Sequence, residues 1–192
     1  MDLRCFIAVE LSDDIRNVID LHITRLRETR ADIKWVQAKN LHLTLKFLGK
    51  TSDELIPEIQ KRLCSIAGKH ENFFLNLYGA GVFPNIKNPR VVWLGLQDSE
   101  EIVRIQRDID ESMAGLGFEK EGRGFSPHLT IGRVRSLKNI DMVIKELATL
   151  DKTDFGKIEV KNIALMKSEL KQGGAEYFRL CEIKVGEIKP LE

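Results

Sequence analysis

The tripeptide His-Leu-Thr occurs twice in the sequence, and each copy lies in a stretch where apolar and polar residues alternate. Alternation with a period of two predicts a half-buried β-strand, on which residues two apart share a face. His42 therefore shares a face with Thr44, and His128 shares a face with Thr130. Each strand presents one titratable ring and one hydroxyl from an apolar base.

Two further histidines provide a comparison. Thr24 lies two residues after His22, but this stretch is charged and helical, and positions two apart on a helix do not share a face. His70 lies in a polar loop. A single outward histidine is ordinarily a solvated side chain, whereas two copies in matching strands favour a shared functional role. Strict alternation also places Lys46 on the His42 face, where a solvated lysine is expected, and Phe47 on the opposite, apolar face.

The second copy follows the first after 86 residues, and the same offset relates other features of the chain. It relates Arg4 to Arg90, each at the start of an apolar run, and Ser12 to Asp98, each at a predicted helix start. The order of elements is shared although few identities are. We expect one bilobal domain over residues 1–192, built from two similar halves at roughly 1–80 and 90–170.

Hydrophobic periodicity and capping residues predict about four helices and eight or more strands, many of them antiparallel neighbours. This pattern indicates the α+β class, with two antiparallel sheets facing across a groove and the helices packed outside. The helices are expected at about 12–30, 54–67, 98–115 and 136–150, and one continuous strand is expected at 157–170.

The composition limits the classes of partner. The 192 residues are 43% hydrophobic, so a sizeable core is expected. Their formal net charge is only +1, so the protein has no strong positive electrostatic field with which to bind a long polyanion. Contact with nucleic acid is then expected at an end or at a single phosphate. Three widely spaced cysteines favour a reducing, cytoplasmic setting. We expect no signal peptide, no membrane span and a monomeric protein.

Two imidazoles facing each other suit acid–base chemistry, because a ring that titrates near pH 6.5 can be neutral while its twin is protonated. Two threonine hydroxyls can donate to the non-bridging oxygens of a phosphoryl group. The sequence has no Walker loop and no His-Glu-x-x-His pattern, so neither ATP nor a metal is implied. We therefore expect phosphodiester chemistry without a cofactor.

The stretches around His42 and His128 resemble the paired His-x-Thr-x motifs of the two-histidine phosphoesterase superfamily. Within it, the sequence is most similar to the RNA 2′,3′-cyclic phosphodiesterase family, historically called the 2′-5′ RNA ligases. The stretches that carry the resemblance span the chain in order: Arg4-Cys5-Phe6-Ile7-Ala8, His42-Leu43-Thr44-Leu45, Gly81-Val82-Phe83-Pro84, Arg90-Val91-Val92-Trp93-Leu94-Gly95, Pro127-His128-Leu129-Thr130-Ile131, and Lys167-Ser168 with Tyr177.

The resemblance implies a bilobal fold with the active site between the lobes, and hydrolysis of an RNA 2′,3′-cyclic phosphate end to a 2′-phosphate. It implies that His42 protonates the departing 3′ oxygen and that His128 activates water, although near-symmetric halves leave these roles open in the sequence itself. Thr44 and Thr130 would hold the phosphate, and Arg133 would contact phosphate or ribose. Alternation puts Arg133 on the apolar face, so a bulge or a strand end is expected there.

Three aromatic residues, Phe6, Phe47 and Tyr177, could stack a base, but core packing is the expectation for each. Two other functions stay open. A 2′-5′ RNA ligase would join a cyclic phosphate end to a 5′-hydroxyl in the same site, and a binding module would only bind the phosphate of a nucleotide or an RNA end. The expected partner is RNA with a 2′,3′-cyclic phosphate terminus, and tRNA fragments are one candidate.

Overall fold

The computed structural model describes residues 2–122, 124–172 and 174–186. Four α-helices and nine strands lie in these ranges. The helices are α1 (Asp13–Arg27), α2 (Ile56–Ala67), α3 (Glu100–Ala114) and α4 (Ile140–Thr149). The strands are β1 (Asp2–Glu10), β2 (Ile33–Trp35), β3 (His42–Ser52), β4 (Phe73–Phe83), β5 (Val91–Gln97), β6 (His128–Val134), β7 (Asp154–Val160), β8 (Asn162–Lys171) and β9 (Gly174–Lys184). Short 3-10 turns precede β3 (Ala38–Asn40) and α2 (Asp53–Leu55).

The strands form two sheets, in the orders β3-β1-β8-β9 and β2-β6-β5-β4-β7, and every pairing is antiparallel. The predicted α+β class with two antiparallel sheets is confirmed. In the first sheet β3 pairs with β1, and in the second sheet β6 pairs with β5 in the same way. The two histidine strands differ on their other side, because β3 is an edge strand whereas β6 also pairs with β2.

The chain exchanges strands between the sheets. β2 and β4 come from the first half of the sequence but lie in the second sheet, whereas β8 and β9, near the end of the chain, lie in the first. The predicted single strand at 157–170 is wrong, because the chain leaves the second sheet after β7 and enters the first at β8. Only Lys161 separates the two strands, and no glycine or proline marks the crossing.

The helices follow their apolar stripes. Ser12 caps α1, where its hydroxyl accepts the Ile15 N–H at 3.4 Å, and Asp13 and Asp14 lie in the positive first turn. α4 begins four residues later than predicted, because Asn139 adopts a left-handed conformation with φ +56°. The Asn139 side chain instead donates to the carbonyl oxygens of Thr29 and Arg30.

One large apolar core includes buried residues from both sheets and all four helices. A second, small cluster lies on the other face of the first sheet and contains Phe6, Ala8, Ala164 and Met166, with Tyr177 packed against it. This face carries His42, and we use the name interlobe groove for it together with the face of the second sheet that carries His128. None of the helices in the described ranges combines the length and apolar character that crossing a bilayer requires.

Candidate active site

Both motif strands contain a β-bulge one residue after the motif threonine. In β3, Thr44 pairs with Ala8 and Lys46 with Ile7, which leaves Leu45 unpaired. In β6 the corresponding unpaired residue is Ile131, between Thr130 and Gly132. A bulge inserts one extra residue and so reverses which face the following side chains occupy.

The bulge in β3 overturns two predictions. Alternation predicts Lys46 on the groove face as a solvated side chain, but it is 1% exposed and faces the core. Alternation predicts Phe47 on the apolar face, but it is 61% exposed and lies beside Phe6 on the groove face, with 6.1 Å between ring centroids. Core packing therefore does not explain Phe47.

Lys46 forms a buried ion pair. Its Nζ lies 2.5 Å from Oδ1 of Asp110 on α3 and donates to the carbonyl oxygen of Glu119 at 2.7 Å. Asp110 also accepts the N–H of Glu121. Burial raises the pKa of the Asp110 carboxyl, but the hydrogen bonds from Lys46 and Glu121 outweigh burial and leave this pKa below the usual value. This network anchors the segment that leads towards His128.

The bulge in β6 accounts for Arg133. The sequence predicts Arg133 at a strand end or a bulge, and the register places it after the bulge, opposite Val91 and exposed. It therefore shares the groove face with Thr130 and His128. A charged residue out of phase with the alternation correctly indicates the bulge.

The His42 ring is held from two sides. Its Nδ1 lies 2.7 Å from the carbonyl oxygen of Asn40, and the ring packs against Phe6 and Tyr177 at centroid distances of 4.8 and 5.2 Å. Because a carbonyl only accepts, Nδ1 carries the proton of the neutral ring and Nε2 has none. Burial lowers the pKa of His42, and the positive charges of Arg16 and Arg133 lower it further, against the opposing effect of the Asn40 hydrogen bond.

The His128 ring is held in the same manner. Its Nδ1 lies 2.7 Å from the carbonyl oxygen of Ser126, two residues earlier in the chain, as Asn40 is for His42. The ring of Phe83 packs edge-on against it at 5.0 Å. The two imidazoles therefore share one tautomer, with Nε2 available in each.

The two threonines lie beside the histidines on half-buried positions of the same strand faces. Thr44 is opposite Ala8, and Thr130 is opposite Trp93. Neither hydroxyl has a hydrogen-bond partner among the residues that the structure describes. Both remain available to bind a ligand oxygen.

The segment that crosses from β2 of the second sheet to β3 of the first is held at both ends, and β3 itself contacts β6. The Val36 N–H, just after β2, donates to the carbonyl oxygen of Ile131 at 2.9 Å. The Asn40 side chain donates to the carbonyl oxygen of Ala175 in β9 at 2.9 Å. Arg133 of the second sheet is close enough to lower the pKa of His42 of the first. The strands that carry the two motifs are thus in contact, with Arg133 near His42.

The other histidines lie elsewhere. The His22 ring packs edge-on against Phe155 at 4.9 Å. His70 lies 2.6 Å from Oε1 of Glu101, and this hydrogen bond holds the pKa of the Glu101 carboxyl below its usual value. Within the described ranges, no group of three or more His, Cys, Asp or Glu side chains is arranged to hold a metal ion.

Sequence reasoning missed Asn40 and Asp110, which support the site. Asn40 contacts a residue 135 positions away, and Asp110 pairs with one 64 positions away, so local patterns could not indicate either contact. A feature of the sequence does point to the strand face of Lys46. The irregularity inferred at Arg133, moved back by the 86-residue offset, falls at Phe47, two residues after the bulge that the structure has at Leu45.

Comparisons with known proteins place this site in context. The model of the family described as the 2′-5′ RNA ligase superfamily matches residues 14–172. An RNA 2′,3′-cyclic phosphodiesterase of Methanothermobacter thermautotrophicus is 35% identical over 181 residues, which are 92% of this chain and 96% of the relative. An RNA 2′,3′-cyclic phosphodiesterase of Methanocaldococcus jannaschii is 35% identical over 175 residues, 91% of this chain and 96% of the relative.

Solved structures agree in fold. The protein TT0787 of Thermus thermophilus matches with a TM-score of 0.80 and 27% identity, over 96% of this chain and 98% of that one. LigT of E. coli, solved in complex with 3′-AMP, matches with a TM-score of 0.72 and 26% identity, over 97% of this chain and 100% of that one.

Proposed function

This chain belongs to the 2′-5′ RNA ligase superfamily, and we propose that it hydrolyses the terminal 2′,3′-cyclic phosphate of RNA to a 2′-phosphate without a metal. The family resemblance predicted from the sequence is confirmed. The observation that carries the proposal is the matched pair of imidazoles, each with Nδ1 bound to the carbonyl oxygen two residues earlier. The names of the relatives support the reaction class.

In the proposed mechanism His128 is the proton acceptor and His42 the proton donor. A water oxygen attacks phosphorus while Nε2 of His128 takes its proton. The bond from phosphorus to the 3′ oxygen breaks, and Nε2–H of His42 donates to that oxygen. The products are a 2′-phosphate and a 3′-hydroxyl. Proton transfer by positioned imidazoles contributes about 10²–10⁴-fold at each step.

The remaining groups stabilise the charge on the phosphoryl oxygens. Thr44 and Thr130 donate hydroxyl hydrogen bonds to the non-bridging oxygens, and Arg133 neutralises them. The lowered pKa of His42 makes its protonated form a stronger acid. A bound anionic phosphodiester raises the pKa again, because an opposite charge favours the protonated ring.

The terminal base has an aromatic surface available beside His42. Phe47 is 61% exposed and lies next to Phe6, and Tyr177 packs edge-on against Phe6 at 5.0 Å. Every base has a π-face, so stacking tolerates different bases. The complex of E. coli LigT with 3′-AMP supports nucleotide binding in this fold.

A ligase is the second candidate, favoured by the description of the family. It needs only a 5′-hydroxyl in place of water as the nucleophile, so the same residues serve both reactions. A non-catalytic module that grips RNA ends is the third, and it differs in having no turnover.

Product analysis tests the proposal. The protein is incubated with an RNA oligonucleotide that ends in a 2′,3′-cyclic phosphate, with and without an acceptor bearing a 5′-hydroxyl. We expect a 2′-phosphate in both reactions. A 2′-5′-linked product as the main species would establish the ligase, and an unchanged cyclic end would leave a binding module.

A further inference from the structure

Two basic residues lie directly opposite each other on neighbouring strands of the second sheet. Lys34 on β2 pairs with Arg133 on β6, and both side chains are exposed. Like charges directly opposite each other destabilise a sheet. Neither residue has an ion-pair partner in the described part of the chain, so the repulsion is not relieved within that part of the protein.

The position of Lys34 brings this charge to the rim of the groove. β2 is an edge strand of its sheet, yet the Lys34 ammonium reaches the first sheet. Its Nζ lies 3.8 Å from the position that a Cβ atom would take on Gly174 of β9. The adjacent residue, Ala175, accepts the hydrogen bond from Asn40. Lys34 therefore lies where the two sheets meet, next to the segment that orients His42.

Two lysines of the β8–β9 hairpin form ion pairs, unlike Lys34 of β2. Lys167 lies 2.6 Å from Glu169, and Lys171 lies 2.5 Å from Glu176. Lys34 lies at the same end of the hairpin but differs from both, because no carboxylate of the described residues pairs with it. An uncompensated cation pair at the rim of a phosphate site suits a polyanionic ligand.

We propose that Lys34 binds the phosphodiester one nucleotide upstream of the terminal cyclic phosphate, beside the phosphate contact of Arg133. The Cβ atoms of directly opposed residues lie about 5 Å apart, so two long basic side chains can contact successive phosphates of one strand. The inference rests on the proposed function and adds a specificity: the protein prefers an RNA chain over a free cyclic nucleotide.

The test compares adenosine 2′,3′-cyclic phosphate with the dinucleotide ApA that ends in the same cyclic phosphate. In Lys34→Met we expect the ratio of kcat/KM for the dinucleotide to kcat/KM for the nucleoside to fall roughly threefold to tenfold. The salt dependence of dinucleotide hydrolysis should become shallower by about 0.7 in log–log slope. Lys34→Arg should keep the wild-type ratio, and so should Lys145→Met, an exposed lysine of α4.

A dinucleotide with an uncharged methylphosphonate linkage isolates the charge. Wild type should lose its preference for this substrate, and Lys34→Met should cause no further loss. A ratio in Lys34→Met equal to that of wild type overturns the inference while leaving the proposed function intact. If wild type hydrolyses neither cyclic phosphate, the proposed function fails, and this inference fails with it.

Discussion

The carbonyl oxygen of Asn40 lies 2.7 Å from Nδ1 of His42, and the same residue holds the hairpin of β8 and β9 through its side chain, which donates to Ala175 at 2.9 Å. One residue thus contacts both the His42 ring and the strand that carries Tyr177. The backbone contact selects the tautomer, and the side-chain contact sets the position of that backbone.

Replacing this side chain should impair catalysis through geometry. Asn40→Ala removes the bond to Ala175 but keeps the backbone carbonyl, so the His42 ring is less firmly placed. We expect kcat to fall about tenfold to hundredfold, since small misplacements of a reacting group are costly. Steady-state kinetics should show this loss with KM little changed, whereas Asn72→Ala, an exposed loop residue, should retain wild-type kcat. Full kcat in Asn40→Ala would contradict the role.

The pH dependence should report the lowered pKa of His42. Proton transfer by two histidines gives the kcat/KM profile one limb at the pKa of each, and burial places the pKa of His42 below the usual value of about 6.5. Arg133→Met removes a charge that lowers this pKa, so the limb that reports His42 should move to higher pH. Arg135→Met, at an exposed position two residues away, is the control.

A profile in which neither limb responds to Arg133→Met would show that Arg133 does not act on His42.

The buried ion pair should behave as a unit. Lys46→Met leaves the Asp110 carboxylate without its main partner, and we expect a loss of about 3 kcal/mol in the free energy of unfolding. The double variant Lys46→Met/Asp110→Leu should be more stable than the single one, because no charge is left unpaired. Urea unfolding measures both. A double variant less stable than Lys46→Met would contradict the account.

The same pair gives a pH signature. The folded Asp110 has a pKa below its unfolded value, so its contribution is present above about pH 4 and is lost as pH falls through the folded pKa. Asp110→Asn should remove this part of the acid dependence.

Much of the site follows from the sequence, but only as far as the alternation holds. His42, Thr44, His128 and Thr130 lie before the bulges, and their strand faces are as predicted. Lys46 and Phe47 lie after a bulge, and alternation assigns both to the wrong face. A bulge depends on how a strand pairs with its neighbour, so the sequence of one strand does not predict it. The exception is a charged residue at a position where alternation expects an apolar one, as at Arg133.

The long-range contacts that support the site could not be predicted from the sequence for a different reason. Neither the crossing between sheets at Lys161 nor the partners of Asn40 and Asp110 depend on residues nearby in the chain. They arise from the exchange of strands between the two sheets. The 86-residue offset predicts two similar halves, but it does not predict this exchange.

Metal removal should leave activity intact. The proposed chemistry uses imidazoles for proton transfer and hydroxyls with a guanidinium for charge, so it requires no Lewis acid. We expect the same rate of cyclic phosphate hydrolysis in EDTA as in buffer with added magnesium. A loss in EDTA that added divalent metal restores would contradict the metal-independent mechanism.

The most direct test is the turnover of an RNA 2′,3′-cyclic phosphate by His42→Ala, His128→Ala and the double variant, with His22→Ala as control. Residues that act as a unit are not additive. We predict that each single variant loses about 10³-fold or more in kcat, that the double variant loses little beyond either, and that His22→Ala matches wild type. Single variants with a kcat within about tenfold of the wild-type value would contradict the account, because a histidine that transfers a proton in the transition state contributes about 10²-fold or more.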